Sequence, residues 1–183
     1  MKQLATFGGG CFWCAEAIFK ELKGVEKVVS GYSGGKIKDP NYYEVTEGTT
    51  GHAESIQISF DPGQISFEQL LEVFFLTHNP TTPDRQGNDV GTQYRSVVFY
   101  HDEKQKSAAE KIIGQIEKEK IYDDPVITEI FPYSAFYPAE EYHQNYLVKN
   151  PDQPYCQFVI NPKLAKFREK FSSLLKDDSK SQL

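Results

Sequence analysis

The sequence predicts an α+β fold: a single domain of two layers with a mixed, mostly antiparallel sheet, extra C-terminal helices and long loops. Three observations predict it. The length of 183 residues suits one domain with a full hydrophobic core. Strand patterns at 25–32 and 53–60 follow one another with no helical pattern between them, which argues against a doubly wound sheet. Helical periods and strand alternation are interspersed along the whole chain, with no linker and no repeat, and two helical patterns fall in its last third.

Taken in order, "QLATF" at Gln3–Phe7 reads as a strand broken by Gly8–Gly10. From Phe12 the apolar positions Trp13, Ala17, Ile18 and Leu22 recur at helical spacing until Gly24. "AESIQISF", Ala53 to Phe60, alternates cleanly and is closed by Asp61-Pro62-Gly63. Ser66 followed by Gln69 is a capping-box pair that starts a helix through Phe75. "SVVFY" at 96–100 is a strand, 103–120 a polar helix, 126–131 a strand, 139–147 a short helix and 162–175 a last one. The domain is set at 1–176 and residues 177–183 are read as a flexible C-terminal tail.

Bulk properties remove several functions. A net charge of −6 disfavours binding to phosphate backbones, so no nucleic-acid role is expected. No apolar run approaches a membrane span, and "MKQLATFGGG" lacks the long apolar stretch of a secretory signal. Three cysteines, an odd number, do not suit a disulfide-stapled secreted domain. A cytoplasmic location is expected, where free thiols are catalytic, metal-binding or simply buried.

The chemistry concentrates in "GGGCFWCAE", Gly8 to Glu16. Cys11 falls where a glycine-rich loop enters a helix, and there the free N–H groups and the helix dipole favour a thiolate. The glycines read as an open approach to its sulfur. Two rival readings start from the same thiols. Cys11, Cys14, Cys156 and one histidine could form a zinc site, although no second close ligand pair follows. A Cys-x-x-Cys at a helix start also suits a thioredoxin-like thiol–disulfide oxidoreductase, although no βαβ opening surrounds it.

Glu54 is placed by period alone. It shares parity with Ile56, Ile58 and Phe60, so it lies on the inner face of its strand, either at the wet end or buried with a raised pKa. Tyr42 and Tyr43 occupy one loop, while Asp89 and Tyr94 belong to the long polar stretch Arg85–Arg95. In "EEYHQNY", His143 and Tyr146 fall near one helical face, where a lone histidine is usually a surface residue. Cys156 follows "KNPDQPY", a Pro-bounded stretch that reads as mobile. Helical residues three apart have Cβ atoms about 5–6 Å apart, whereas a disulfide needs about 3.5–4.5 Å. That spacing favours Cys156 over Cys14 as first partner of Cys11 and leaves Cys14 as a relay.

"GGGCFWCAEAIF", "GYSGG", "YYEVTEGTTGHAE", "RQGNDVGTQYRSVVFY" and "EEYHQNYL" together resemble the A-type peptide methionine sulfoxide reductases, in the same order and over nearly the whole chain. The resemblance implies a ferredoxin-like βαββαβ core and reduction of methionine S-sulfoxide, protein-bound and free, in repair of oxidised proteins. It assigns Cys11 as nucleophile, Glu54 as acid, and Phe12 with Trp13 as the wall that holds the S-methyl group. Tyr42 and Tyr94 are the hydroxyls around the sulfoxide oxygen, Asp89 a supporting polar residue and Cys156 the recycling cysteine. It implies no metal and no bound cofactor; thioredoxin or another dithiol is the external reductant. Cys14 stands where many members carry glycine, so whether Cys14 or Cys156 resolves the first intermediate stays open.

Overall fold

Alternation in three neighbouring segments builds the centre of a six-stranded sheet. In the computed structural model, which describes residues 1–180, β1 (Gln3–Gly9) pairs antiparallel with β3 (Ala53–Phe60) on one side and β6 (Ser96–Tyr100) on the other. Phe7 faces Ile56 and Val98, and Ala5 faces Ile58. One face therefore presents a continuous apolar row, with each large buried side chain contributing about 1.5–3 kcal/mol.

The remaining elements follow the chain. After β1 come α1 (Phe12–Phe19), β2 (Val25–Ser33) and a short α2 (Tyr42–Thr46). After β3 come α3 (Phe67–Thr77) and a two-stranded hairpin of β4 (Arg85–Gln86) and β5 (Asp89–Val90). A 3-10 turn at Thr92–Tyr94 leads into β6, followed by α4 (Glu103–Lys118), β7 (Glu129–Pro132) and β8 (Phe136–Pro138). The last part holds α5 (Tyr146–Lys149), a π-helical turn at Cys156–Ile160, α6 (Asn161–Lys170) and α7 (Asp177–Lys180). The sheet order is β7-β6-β1-β3-β2-β8, antiparallel throughout except for the β6–β7 pair. The expected α+β class and mixed, mostly antiparallel sheet are what the structure has.

Helices α1, α3, α4 and α6 all contribute to one core with the apolar sheet row, through residues such as Phe19, Phe74, Ile116 and Phe167. Ser66 caps α3 as expected: its hydroxyl accepts from the Gln69 N–H at 3.1 Å, and the Gln69 side chain accepts from the Ser66 N–H at 2.9 Å.

The C-terminal third departs from the periodicity. No single helix spans 139–147; a 3-10 turn at Glu141–His143 is separated from α5 by Asn145, which is left-handed at φ 56°. Long-range hydrogen bonds override the helical pattern there. The Asn145 N–H donates to Glu16 Oε1 at 2.9 Å, and the Gln144 amide bonds both the N–H and the carbonyl of Ser30. The last expected helix stops at Lys170 and continues as a 3-10 turn. The tail set at 177–183 begins with the helical turn α7, and 181–183 lie outside the described residues.

Ser66→Ala removes one half of the α3 cap and should cost about 1 kcal/mol of unfolding free energy. A urea titration reads this as a lower midpoint at unchanged slope; an unmoved midpoint would show that the cap is idle.

Candidate active site

The loop before Cys11 is tightly packed. Gly8 and Gly9 belong to β1, and a Cβ on Gly9 would lie 2.8 Å from the Phe74 ring. Gly10 is left-handed at φ 91°, with the Gln86 side chain 2.5 Å from where its Cβ would be. The glycines therefore allow close approach of neighbouring elements, and do not form the open path to the sulfur that the sequence suggested. They deliver Cys11 as the N-cap of α1, with φ −59° and ψ 124°, and its carbonyl accepts from the Cys14 N–H at 3.2 Å.

The free N–H at the start of α1 meets a carboxyl rather than the thiol. Phe12 N–H donates to Glu54 Oε2 at 3.1 Å. Glu54 sits at the end of the row Phe60–Ile58–Ile56, on the face its parity predicted, and is only 2% exposed. Burial raises its pKa to about 8 against the partial compensation of the Phe12 N–H, with the nearby Asp89 charge adding to the rise. At neutral pH it is a protonated acid. Because Oε2 accepts from the backbone, the proton belongs on Oε1.

All three thiols are buried and lie in one cluster with Ile160. Cys11 and Cys14 hydrogen-bond through their side chains, so the pair ionises as a unit. Within the pair, the bond to Cys11 lowers Cys14 to about 7 against burial, with Lys163 assisting. Burial, the bond to Cys14 and the Glu54 charge hold Cys11 well above the usual thiol range. The helix start therefore does not by itself lower the Cys11 thiol. Cys156 is fully buried in the π-helical turn that leads into α6, and not in a loose segment. The Cβ spacing argument also loses its premise, since Cys11 is outside regular helix.

Side chains from six segments close the site. Cys11, Phe12, Trp13, Tyr42, Glu54, Asp89, Tyr94 and Tyr155 line one cavity of about 210 Å³. Tyr42 opens α2, where Asn41 and Glu44 form a capping box and the Tyr42 N–H donates to Glu140 Oε1 at 2.8 Å. Burial pushes the Tyr42 hydroxyl up to about 12 and raises Tyr94 further, so both stay protonated donors. Asp89, on the short β4–β5 hairpin, accepts from the Tyr155 hydroxyl at 2.7 Å.

Every residue singled out in the sequence for substrate contact therefore lines this cavity. Cys14 and Cys156 pack behind Cys11. Two residues escaped that reading. Tyr155 bridges Asp89 to the thiols, with its hydroxyl 4.0 Å from Cys14 Sγ and its ring edge-on to Trp13. Its one sequence signal was its position next to Cys156. His143, expected at the surface, is 1% exposed and contacts Phe12, Trp13 and Tyr42. Among the described residues no group of three or more His, Cys, Asp or Glu is placed to hold a metal ion, and no helix is long and apolar enough to cross a membrane.

A family model described as peptide methionine sulfoxide reductase matches residues 3–175. The chain belongs to that family. This A-type reductase is an oxidoreductase, 55% identical over 175 residues to the peptide methionine sulfoxide reductase MsrA of Acinetobacter baumannii strain SDF, covering 96% of this chain and 99% of the relative. Among solved structures, the reductase is similar to Mxr1 from Saccharomyces cerevisiae in reduced form, with TM-score 0.77, 34% identity, and 85% and 89% of the two chains covered. It is also similar to Mxr1 in complex with Trx2, with TM-score 0.55, 25% identity, and 79% and 84% covered.

The acidity of Glu54 has a stability consequence with a definite sign. Its pKa rises from 4.5 to about 8 on folding, so between those values the folded reductase binds more protons than the unfolded chain. Stability from this group is present below the lower value and is lost as pH rises to the upper one. Glu54→Gln, which never ionises, should gain in Tm relative to the parent protein as pH rises from about 5 to about 8. An equal Tm difference at both ends would show that the carboxyl is not held neutral.

Proposed function

We propose that this reductase converts methionine S-sulfoxide, protein-bound and free, to methionine, with Cys11 as nucleophile and Glu54 as acid. The single observation that carries the reading is one small cavity holding a thiol, a neutral carboxyl and an aromatic wall together. Its 210 Å³ is room for about seven water-sized groups at roughly 30 Å³ each. That suits the CH3–S(=O)–CH2 end of the side chain and leaves the backbone outside, whether or not it belongs to a protein. The S epimer rests on membership of the A-type family.

In the proposed cycle the proton of Cys11 passes to Cys14 along their hydrogen bond. The Cys11 sulfur attacks the sulfoxide sulfur while Glu54 Oε1 protonates its oxygen, and Tyr42 and Tyr94 donate to that oxygen. The S-methyl group rests against Phe12 and Trp13, with Asp89 and Tyr155 as the polar edge. Methionine leaves, and Cys11 retains the oxygen as a sulfenic acid. A second thiol condenses with it to a disulfide and water. Cys14, one turn along from Cys11 in the same thiol cluster, is the proposed resolving thiol, and Cys156 passes the disulfide on. A dithiol protein then reduces the disulfide by exchange. Thioredoxin is the proposed reductant, supported by the similarity to Mxr1, whose solved forms include a complex with Trx2. The cycle needs no metal or bound cofactor.

The catalytic domain is taken as 1–176. Its four central strands, in the order β6-β1-β3-β2 with antiparallel neighbours, support a ferredoxin-like core. Three free thiols support a cytoplasmic setting and a role in repair of oxidised proteins.

Reduced protein mixed with the separate S and R epimers of methionine sulfoxide, without reductant, should release methionine from the S epimer only, and thioredoxin with its reductase should make turnover continuous. Absence of methionine would overturn the reading. Glu54→Gln should slow the single-turnover step about a hundredfold. Mass spectrometry of the disulfides after one turnover should find Cys11–Cys14 dominant; a dominant Cys11–Cys156 bond would reverse the order of the two thiols.

A further inference from the structure

The Trp13 side chain, a wall of the cavity, is held by a directional bond from outside it. Its indole Nε1–H donates to His143 Nδ1 at 3.0 Å, and its ring lies flat on Tyr146 with centroids 3.6 Å apart and planes 5° apart. An indole N–H can only donate. Nδ1 must therefore present its lone pair, and the proton of the neutral ring must sit on Nε2. Nε2 is buried and has no hydrogen-bond partner; what faces it is Glu140 Oε2, at 3.9 Å. Glu140 is itself fixed, accepting from the Tyr32 hydroxyl at 2.9 Å and from the Tyr42 N–H at 2.8 Å.

An unpartnered buried N–H is costly and calls for an explanation. The arrangement of these groups supplies one. A carboxylate anchored to β2 and α2 faces the protonated nitrogen, and that leaves the other nitrogen as an acceptor for Trp13. Burial lowers the His143 pKa, in keeping with a neutral ring. An imidazolium would set one N–H against another.

We propose that His143, oriented by Glu140, is a positioning residue that holds the Trp13 indole in its substrate-binding orientation. The inference rests on the reading that the cavity takes the sulfoxide end of methionine. His143 is not itself among the residues that line the cavity; it packs behind Phe12 and Tyr42 and acts through its bond to Trp13. Without an acceptor, the indole must leave its donor unpaired or turn away from Tyr146, and the substrate must then order the wall as it binds.

The test compares His143→Leu with His143→Asn. The two are close in shape and neither titrates, but only Asn keeps an acceptor where Nδ1 stands. His143→Leu should raise KM for methionine sulfoxide about tenfold, with the rate at saturation within about twofold, and His143→Asn should stay near the parent KM. A second measurement needs no variant. The chain has one Trp, so 15N-labelled parent protein should give a single indole N–H signal, coupled through the hydrogen bond to His143 Nδ1. Absence of that coupling, an equal rise in KM for Leu and Asn, or an unchanged KM in Leu would each overturn the proposal. Should His143→Leu not fold, the coupling and the KM of His143→Asn decide, and a tenfold rise in Asn overturns it. A parent protein with the coupling intact and no turnover of sulfoxide would overturn the substrate reading instead.

Discussion

The active site depends on the bond between the Phe12 N–H and the Glu54 carboxyl. It joins the first turn of α1 to the start of β3, through residues 42 apart in sequence. On one side of it stands Cys11, on the other the apolar row of the sheet. The bond satisfies a helix N–H that would otherwise be orphaned, and it orients a carboxyl that burial keeps protonated. Helix start, acid and thiol are therefore positioned together, and a shift in α1 moves all three.

The remaining walls are held against this unit by polar groups rather than by apolar packing alone. Glu140 ties β2 to α2, Asp89 ties the β4–β5 hairpin to Tyr155, and Glu16 holds the Asn145 turn. Each is an acidic side chain receiving donors from distant segments. Burial of such groups is tolerable because their acceptor sites are filled.

Legibility in the sequence followed the range of the forces. Strands 53–60 and 96–100 and the Ser66 cap rest on local alternation and local hydrogen bonding, and their bounds match. Glu54 was legible because strand parity is also local. The segment after Pro138 was not. Its turns are set by Gln144 on Ser30 and Asn145 on Glu16, and no period in the sequence encodes such contacts. The same cause hid His143, which is covered by aromatic rings on two other elements, and made Cys156 look loose when it is packed. The acidity of Cys14 relative to Cys11 was equally out of reach, because it arises from their mutual bond and from Lys163 on α6.

Gathering three thiols into one buried cluster also fixes a race. In the proposed cycle a sulfenic acid formed at Cys11 would meet neighbouring thiols held at effective concentrations on the order of 10⁵ M or more when well aligned. A second oxidant molecule must arrive from solution, at concentrations lower by many powers of ten, and must enter a cavity of 210 Å³. On that cycle ring closure would outrun further oxidation and keep the cysteine off the irreversible rungs of the sulfur oxidation ladder. The crowding proposed to bind the substrate would then also limit the lifetime of the most fragile species in the cycle.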